Sequence, residues 1–259
     1  MTNPLASVLG GDAGAAVLPR LAPAAAPVCG QPWSAFAVDA GQIVQAAKRI
    51  AALFATDAIV IEIDASDSAS SVEAVRRLAA ENGRPVVPIL PGPVTLAATS
   101  DADADAAKEV LTGIVEAIGE ARPALLLFDE STVPASELAG MGARKLFNTL
   151  RNVTSYFDVP LGIIMAIPDE DAADAAVRLK PDAVIATGTA DAALLDRIAA
   201  EGPVAGIALA ANDTATASNA AALAATRPLI ITTLGGGPDP LPVETMHAFM
   251  GAFSGARQP

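Results

Sequence analysis

Along the whole chain, short apolar runs of β-forming residues alternate with longer Ala-rich segments that have helical spacing. The clearest run is Ala58 to Asp64 (AIVIEID), followed by Pro85 to Leu90 (PVVPIL) and Ala124 to Asp129 (ALLLFD). Leu161 to Ala166 (LGIIMA), Asp182 to Thr187 (DAVIAT), Val204 to Leu209 (VAGIAL) and Leu229 to Thr233 (LIITT) continue the series. These runs are apolar almost throughout instead of strictly alternating, which suits parallel strands covered on both faces. Between them, Ser71 to Asn82, Ala104 to Glu120, Ser136 to Tyr156, Asp169 to Leu179 and Ala190 to Glu201 read as helices. A further strand is expected at Ala15 to Leu21 (AAVLPRL), although Pro19 disfavours a strand interior. Strands that alternate with helices build a parallel sheet. Eight such units in 259 residues match the usual size of a (β/α)8 TIM barrel, about 250 residues. The competing architecture is a doubly wound open sheet, but the first βα turn lacks its GxGxxG sequence. No linker or charge block divides the chain. The expectation is a single α/β domain over residues 1–259, a (β/α)8 barrel.

With 52% hydrophobic residues the chain has ample material for a core of that size. Its 16 Lys and Arg against 29 Asp and Glu leave a formal net charge of −13. Nucleic acids and anionic membranes need a basic surface, so neither is an expected partner. The single cysteine, Cys29, excludes an internal disulfide and a multi-thiolate metal site, and no structural metal is expected. No apolar run reaches the ~18 residues of a membrane span. The Ala-rich N-terminal stretch has no Lys or Arg before it, unlike a secretory signal, so a cytoplasmic protein is expected.

In a barrel, ligands bind at the C-terminal ends of the strands. Those positions hold Asp64, Pro91-Gly92-Pro93, Asp129-Glu130, Thr187, Asn212-Asp213 and Gly235-Gly236-Gly237, with no histidine or cysteine among them. Asp64 ends the strongest run, and Glu62 points the same way two residues earlier. Carboxylates there serve as general bases or stabilise positive charge. Equally, Asp64 or Asp67 suits the N-cap of the helix that begins near Ser71. Asp129-Glu130 carries the same ambiguity, with Ser131 and Thr132 also available for capping. The three glycines offer backbone N–H groups to an anion at the following helix, or simply make a turn that Pro238 and Pro240 close. His247 sits on an apolar helix stripe with Met246, Phe249, Met250 and Phe253, which favours a structural role. There is no GxSxG elbow for a serine nucleophile.

Four segments, in order, resemble the uroporphyrinogen decarboxylase and corrinoid-linked methyltransferase superfamily. Asp57 to Asp64 (DAIVIEID) is similar to that family's strand ending in an active-site aspartate. Pro88 to Ala97 (PILPGPVTLA) resembles its GP-x-T-L segment, the most specific of the four, which brings in Gly92 and Thr95 as ligand-binding candidates. Ala124 to Ser131 (ALLLFDES) resembles a strand ending in FD-S. Leu234 to Met246 (LGGGPDPLPVETM) resembles the last-strand turn and the entry to the final helix. The resemblance implies a (β/α)8 barrel, with Asp64 and Asp129 as catalytic residues. Its ligand-binding residues would be Arg20, Glu62, Gly92, Thr95, Glu130 and Gly235 to Gly237.

Departures from the family narrow the activity. The decarboxylases' RQAGR segment reads Leu18-Pro19-Arg20-Leu21-Ala22 here, leaving Arg20 alone. Thr99 stands in place of their tyrosine and Gly236 in place of their last-strand histidine. The Cys and His zinc ligands of the thiol-activating methyltransferases are missing as well. The resemblance therefore implies a methyl-group transferase without a zinc site, using a corrinoid or tetrahydrofolate as methyl carrier. The expected partners are a small-molecule ligand, a corrinoid protein and a second copy of the chain in a homodimer. One alternative is a decarboxylase-like lyase on a small acid or uroporphyrinogen, anchored by Arg20. The other is a barrel that binds a ligand or partner without catalysis.

Overall fold

The computed structural model describes residues 3–81, 83–99, 103–188, 191–235 and 240–257. Eight strands form one sheet: β1 (Gly14–Leu18), β2 (Ile59–Glu62), β3 (Val86–Pro91), β4 (Leu126–Asp129), β5 (Leu161–Ala166), β6 (Ala183–Thr187), β7 (Val204–Leu209) and β8 (Pro228–Thr233). All neighbouring pairs are parallel, in the order β1-β8-β7-β6-β5-β4-β3-β2. The helices are α1 (Pro4–Leu9), α2 (Ala25–Cys29), α3 (Trp33–Phe36), α4 (Ala40–Leu53), α5 (Ala69–Ala80), α6 (Pro93–Thr99) and α7 (Ala104–Gly119). They continue with α8 (Ala135–Leu138), α9 (Met141–Tyr156), α10 (Glu170–Arg178), α11 (Ala192–Ala200), α12 (Thr214–Ala224) and α13 (Val243–Ala252). The chain is a (β/α)8 barrel.

The strands are apolar on both faces because each face meets a different core. Ala16, Leu18, Val60, Val87, Leu127, Ile164, Ile185 and Ile230 fill the barrel interior. Leu5 and Val8 of α1 join this cluster and close its floor, at the N-terminal ends of the strands. The alternate residues, such as Val17, Ile61, Phe128, Ile163 and Ile231, pack outward against the helices. Small residues allow the close approach: a Cβ on Gly206 would lie 2.8 Å from the Ile230 carbonyl oxygen.

β1 and β2 end the ladder order, and Asp57 joins them. Its N–H donates to the Val17 carbonyl at 3.1 Å, and its Oδ2 accepts from the Val17 N–H at 2.7 Å. Arg257, beyond α13, reaches the same carboxylate at 3.3 Å, so the C-terminal segment fastens this seam. Pro19 does not interrupt a strand, because β1 stops at Leu18.

Two expected boundaries shift. β2 stops at Glu62, which leaves Asp64 beyond the strand. The segment 136–156 is two helices, broken at Gly140, whose extended backbone makes it the N-cap of α9. No described helix is long and apolar enough to cross a membrane.

Candidate functional site

Period two along the strands selects the residues that enter the barrel mouth. Leu18 of β1, Val60 of β2 and Leu127 of β4 point into the interior. Two residues onward in each case stand Arg20, Glu62 and Asp129. The three meet. Arg20 Nη1 donates to Glu62 Oε1 at 2.5 Å, and Arg20 Nη2 donates to Asp129 Oδ2. The chain entering Arg20 is fixed from β8: Arg20 N–H donates to Thr233 Oγ1 at 2.9 Å, and Thr232 Oγ1 donates to the Leu18 carbonyl at 2.7 Å.

Arg20 is only 6% exposed. Burial works against its charge, but the adjacent carboxylates outweigh that and hold its pKa above the ordinary arginine value. Its Nε–H is buried without a hydrogen-bond partner among the described residues, as are those of Arg144, Arg227 and Arg257. Asp129 has both oxygens engaged, since Oδ1 accepts from the Ser131 N–H at 2.9 Å. Glu62 is the open member, with a side chain 31% exposed against 18% for Asp129. These residues line a cavity of about 230 Å³ together with Ile63, Ile89, Leu90, Pro91, Thr95, Ser131 and Thr132.

Glu130 has a different task. It is fully buried, and its carboxylate accepts from the N–H groups of Val94 and Thr95 at 2.9 and 2.8 Å and from Thr95 Oγ1 at 2.6 Å. It therefore caps α6 from across the β3–β4 pair and orients Thr95, whose side chain lines the cavity. Burial pushes the Glu130 pKa above the ordinary glutamate value, against the hydrogen bonds from Thr95 and Val94. Gly92 makes room for this carboxyl: a Cβ there would lie 2.1 Å from Glu130 Cδ.

Asp64, expected to end its strand and face the cavity, does neither. It is exposed, and its Oδ1 accepts from the Ser66 N–H at 2.8 Å and Ser66 Oγ at 2.7 Å, which closes a local turn and lowers its pKa. It does not cap α5 either, whose N-cap is Ser68. Beyond Glu62 the chain turns at once through Ser66, so Asp64 leaves the inward phase that Glu62 keeps.

Gly235 packs against the site, where a Cβ would lie 3.0 Å from Arg20 Nη1. Gly236 and Gly237 lie outside the described residues. Asp213 serves as N-cap of α12. His247 on α13 is exposed, its ring 4.9 Å from that of Phe54 and edge-on to it. Cys29 is half-buried at the end of α2, and burial raises its thiol pKa. Among the described residues no group of three or more His, Cys, Asp or Glu side chains is placed to hold a metal ion. The sequence reading had Arg20 among the ligand-binding candidates and Pro91 among the strand ends, and missed Ile89 as a cavity wall. The inward period of β3, which Val87 begins, was the signal for it.

No protein-family profile matches the chain, and no curated protein sequence does. Among solved structures, a methyltransferase from Methanosarcina mazei superposes with a TM-score of 0.73 over 98% of this chain and 98% of its own, at 15% identity. A D-psicose 3-epimerase from Clostridium cellulolyticum H10, solved with D-tagatose, gives 0.52 over 84% of this chain and 92% of its own, at 11% identity. At such identities the likeness establishes the fold. What fold and site define together is a (β/α)8 barrel with a carboxylate–guanidinium–carboxylate cluster at the C-terminal ends of its strands.

Proposed function

We propose that this barrel is a methyltransferase-like enzyme that acts on a small acceptor held at the Arg20–Glu62–Asp129 cluster. The observation that carries the reading is the placement of the three residues, which meet at the face where barrel enzymes keep their active sites. The likeness to the Methanosarcina methyltransferase over the full length of both chains and the GPVTLA segment support the reaction class. Placement in the uroporphyrinogen decarboxylase and corrinoid methyltransferase superfamily belongs to the same proposal.

Methyl transfer to an acceptor X–H forms an X–carbon bond, breaks the bond between carbon and the methyl donor, whose electron pair stays with the donor, and releases one proton. Glu62 is the residue equipped to take it, because among the described residues nothing hydrogen-bonds Oε2 and the side chain reaches the cavity. Arg20 holds the Glu62 carboxylate in place through Oε1, while Asp129 holds Arg20 from the other side. Thr95, positioned by Glu130, and Ser131 and Thr132 supply polar groups along the wall.

The implied corrinoid or tetrahydrofolate does not fit inside this cavity. Its volume, about 230 Å³, is below the roughly 300–1,000 Å³ of sites for drug-sized ligands. No histidine or thiolate lines it to ligate cobalt. A separate corrinoid protein is the form in which a carrier enters the proposal. Arg20 is poorly suited to anchor a substrate carboxylate, which would there meet the charges of the two acids that Arg20 already pairs with. This weighs against the decarboxylase-like alternative.

The test supplies methylcobalamin as donor with a panel of small thiols, amines and alcohols, and follows both cobalamin absorbance and methylated product. Turnover is expected with at least one acceptor. Glu62→Gln should lower kcat/KM by about 10²-fold or more, the scale of a lost general base. Absence of turnover across the panel, or full activity in Glu62→Gln, rejects the reading. In the first case ligand binding at the mouth would favour a non-catalytic barrel.

A further inference from the structure

The charge layout of the barrel singles out one class of ligand. From each strand end to the barrel helix that follows, the eight βα connections contain a single Lys or Arg, which is Arg20. Acidic residues recur through them, among them Asp67 after β2, Glu137 after β4 and Asp191 after β6. Loop cations lie at the opposite face, where Arg84, Arg122, Lys180 and Arg227 precede β3, β4, β6 and β8. A mouth of one sign surrounded by low-dielectric walls concentrates ligands of the other sign.

Within the cavity the same sign prevails. Glu62 and Asp129 carry two negative charges against one on Arg20, a net charge of −1 when all are ionised. Asp129 has no free oxygen, and Glu130 spends its carboxylate on α6. Among the described residues no hydrogen bond reaches Glu62 Oε2, which is the oxygen left for a ligand. Arg20 lines the cavity nine-tenths buried, with its two Nη groups held by Glu62 and Asp129. The remaining lining is partly apolar, with Ile89 and Pro91 leaving room for a short aliphatic chain.

We infer that the mouth binds a small primary ammonium compound, its ammonium on the free oxygen of Glu62 and its short chain along Ile89 and Pro91. The inference rests on the proposed reading of the mouth as the ligand site, but not on methyl transfer. In that reaction the bound compound would be the acceptor: its ammonium first gives a proton to Glu62, the freed nitrogen lone pair takes the methyl group, and the donor keeps the electron pair of the bond it loses.

Calorimetric titration with n-butylammonium chloride, 1-butanol and sodium butyrate compares ligands of similar size and different charge. Butylammonium should bind at least tenfold more tightly than either of the others, a difference of about 1.4 kcal/mol. Glu62→Gln should weaken it at least tenfold, while Glu62→Asp, which keeps the charge, should retain preference for the ammonium. Thermal melts of both variants identify any loss that comes from unfolding, and the Asp variant then carries the comparison. Butyrate binding as well as butylammonium overturns the inference, as does equal affinity in wild type and a folded Glu62→Gln. So does the absence of binding by all three. Ammonium binding without turnover leaves the inference standing and removes methyl transfer. Turnover on a neutral or anionic acceptor without ammonium binding does the reverse.

Discussion

Gly92 and Glu130 show how a single residue's geometry sets what its neighbour can do. Glu130 lies fully buried across the backbone of Gly92, and its three hydrogen bonds leave it no alternative place. A methyl group at position 92 cannot be absorbed by a side chain so tightly held. Gly92→Ala should therefore cost about 1–3 kcal/mol, the range for overpacking a core site, read as a lower urea midpoint with unchanged slope. A cost near zero would mean that Glu130 is free to move and does not cap α6. This pair also shows what the sequence could and could not disclose. The GP-x-T-L segment and the adjacent acids Asp129 and Glu130 are visible in the string. Which acid enters the cavity is not, because that depends on strand phase: Asp129 continues the inward set of Leu127, and Glu130 falls between.

At the scale of elements, the strands were legible because both of their faces are buried, which leaves long apolar runs without polar interruptions. Their ends were less so. Ala58 to Asp64 continues apolar through Ile63, although the ladder stops at Glu62, and Asp64 turns out to brace Ser66 instead of the mouth. Five other aspartates, Asp39, Asp103, Asp169, Asp191 and Asp213, cap helices α4, α7, α10, α11 and α12. Capping thus consumes acids that a reading of charge alone would offer to a ligand. The seam between β1 and β2 depends on another. Burial raises the Asp57 pKa, with the hydrogen bond from Val17 and the charge of Arg257 opposing it. A carboxyl whose folded pKa lies above its unfolded value contributes most stability below the ordinary aspartate range, near pH 4, and loses it as pH rises through the folded value. The stability of wild type relative to Asp57→Asn should accordingly decline from about pH 4 towards neutrality, in urea melts taken across that interval. A difference that grows with pH would reverse the assigned sign.

Across the whole molecule, closure of the barrel puts every βα connection on one face and every αβ connection on the other, so a pattern spread thinly along the sequence becomes a property of a surface. The net charge of −13 alone argued only against polyanionic partners. Its distribution could not be read until the topology assigned the loops to faces, with Arg20 alone among the cations at the mouth. Much of that acidity is matched by helix N-termini at the capping aspartates, so it acts through the combined field and over a distance that salt controls. Ions at 0.01 M leave a Debye length near 30 Å, roughly the reach of the face, whereas at 1 M it falls to about 3 Å, the length of one contact. Two contributions to ammonium binding then separate. The long-range part should disappear over this interval and appear chiefly in the association rate, while direct contact with Glu62 should persist and govern dissociation. Butylammonium affinity should fall several-fold between low and high salt in wild type, without vanishing. In Glu62→Gln the salt dependence should remain although the affinity at every salt concentration is lower. Loss of the salt dependence together with Glu62 would show that one carboxylate, and not the face, supplies the attraction.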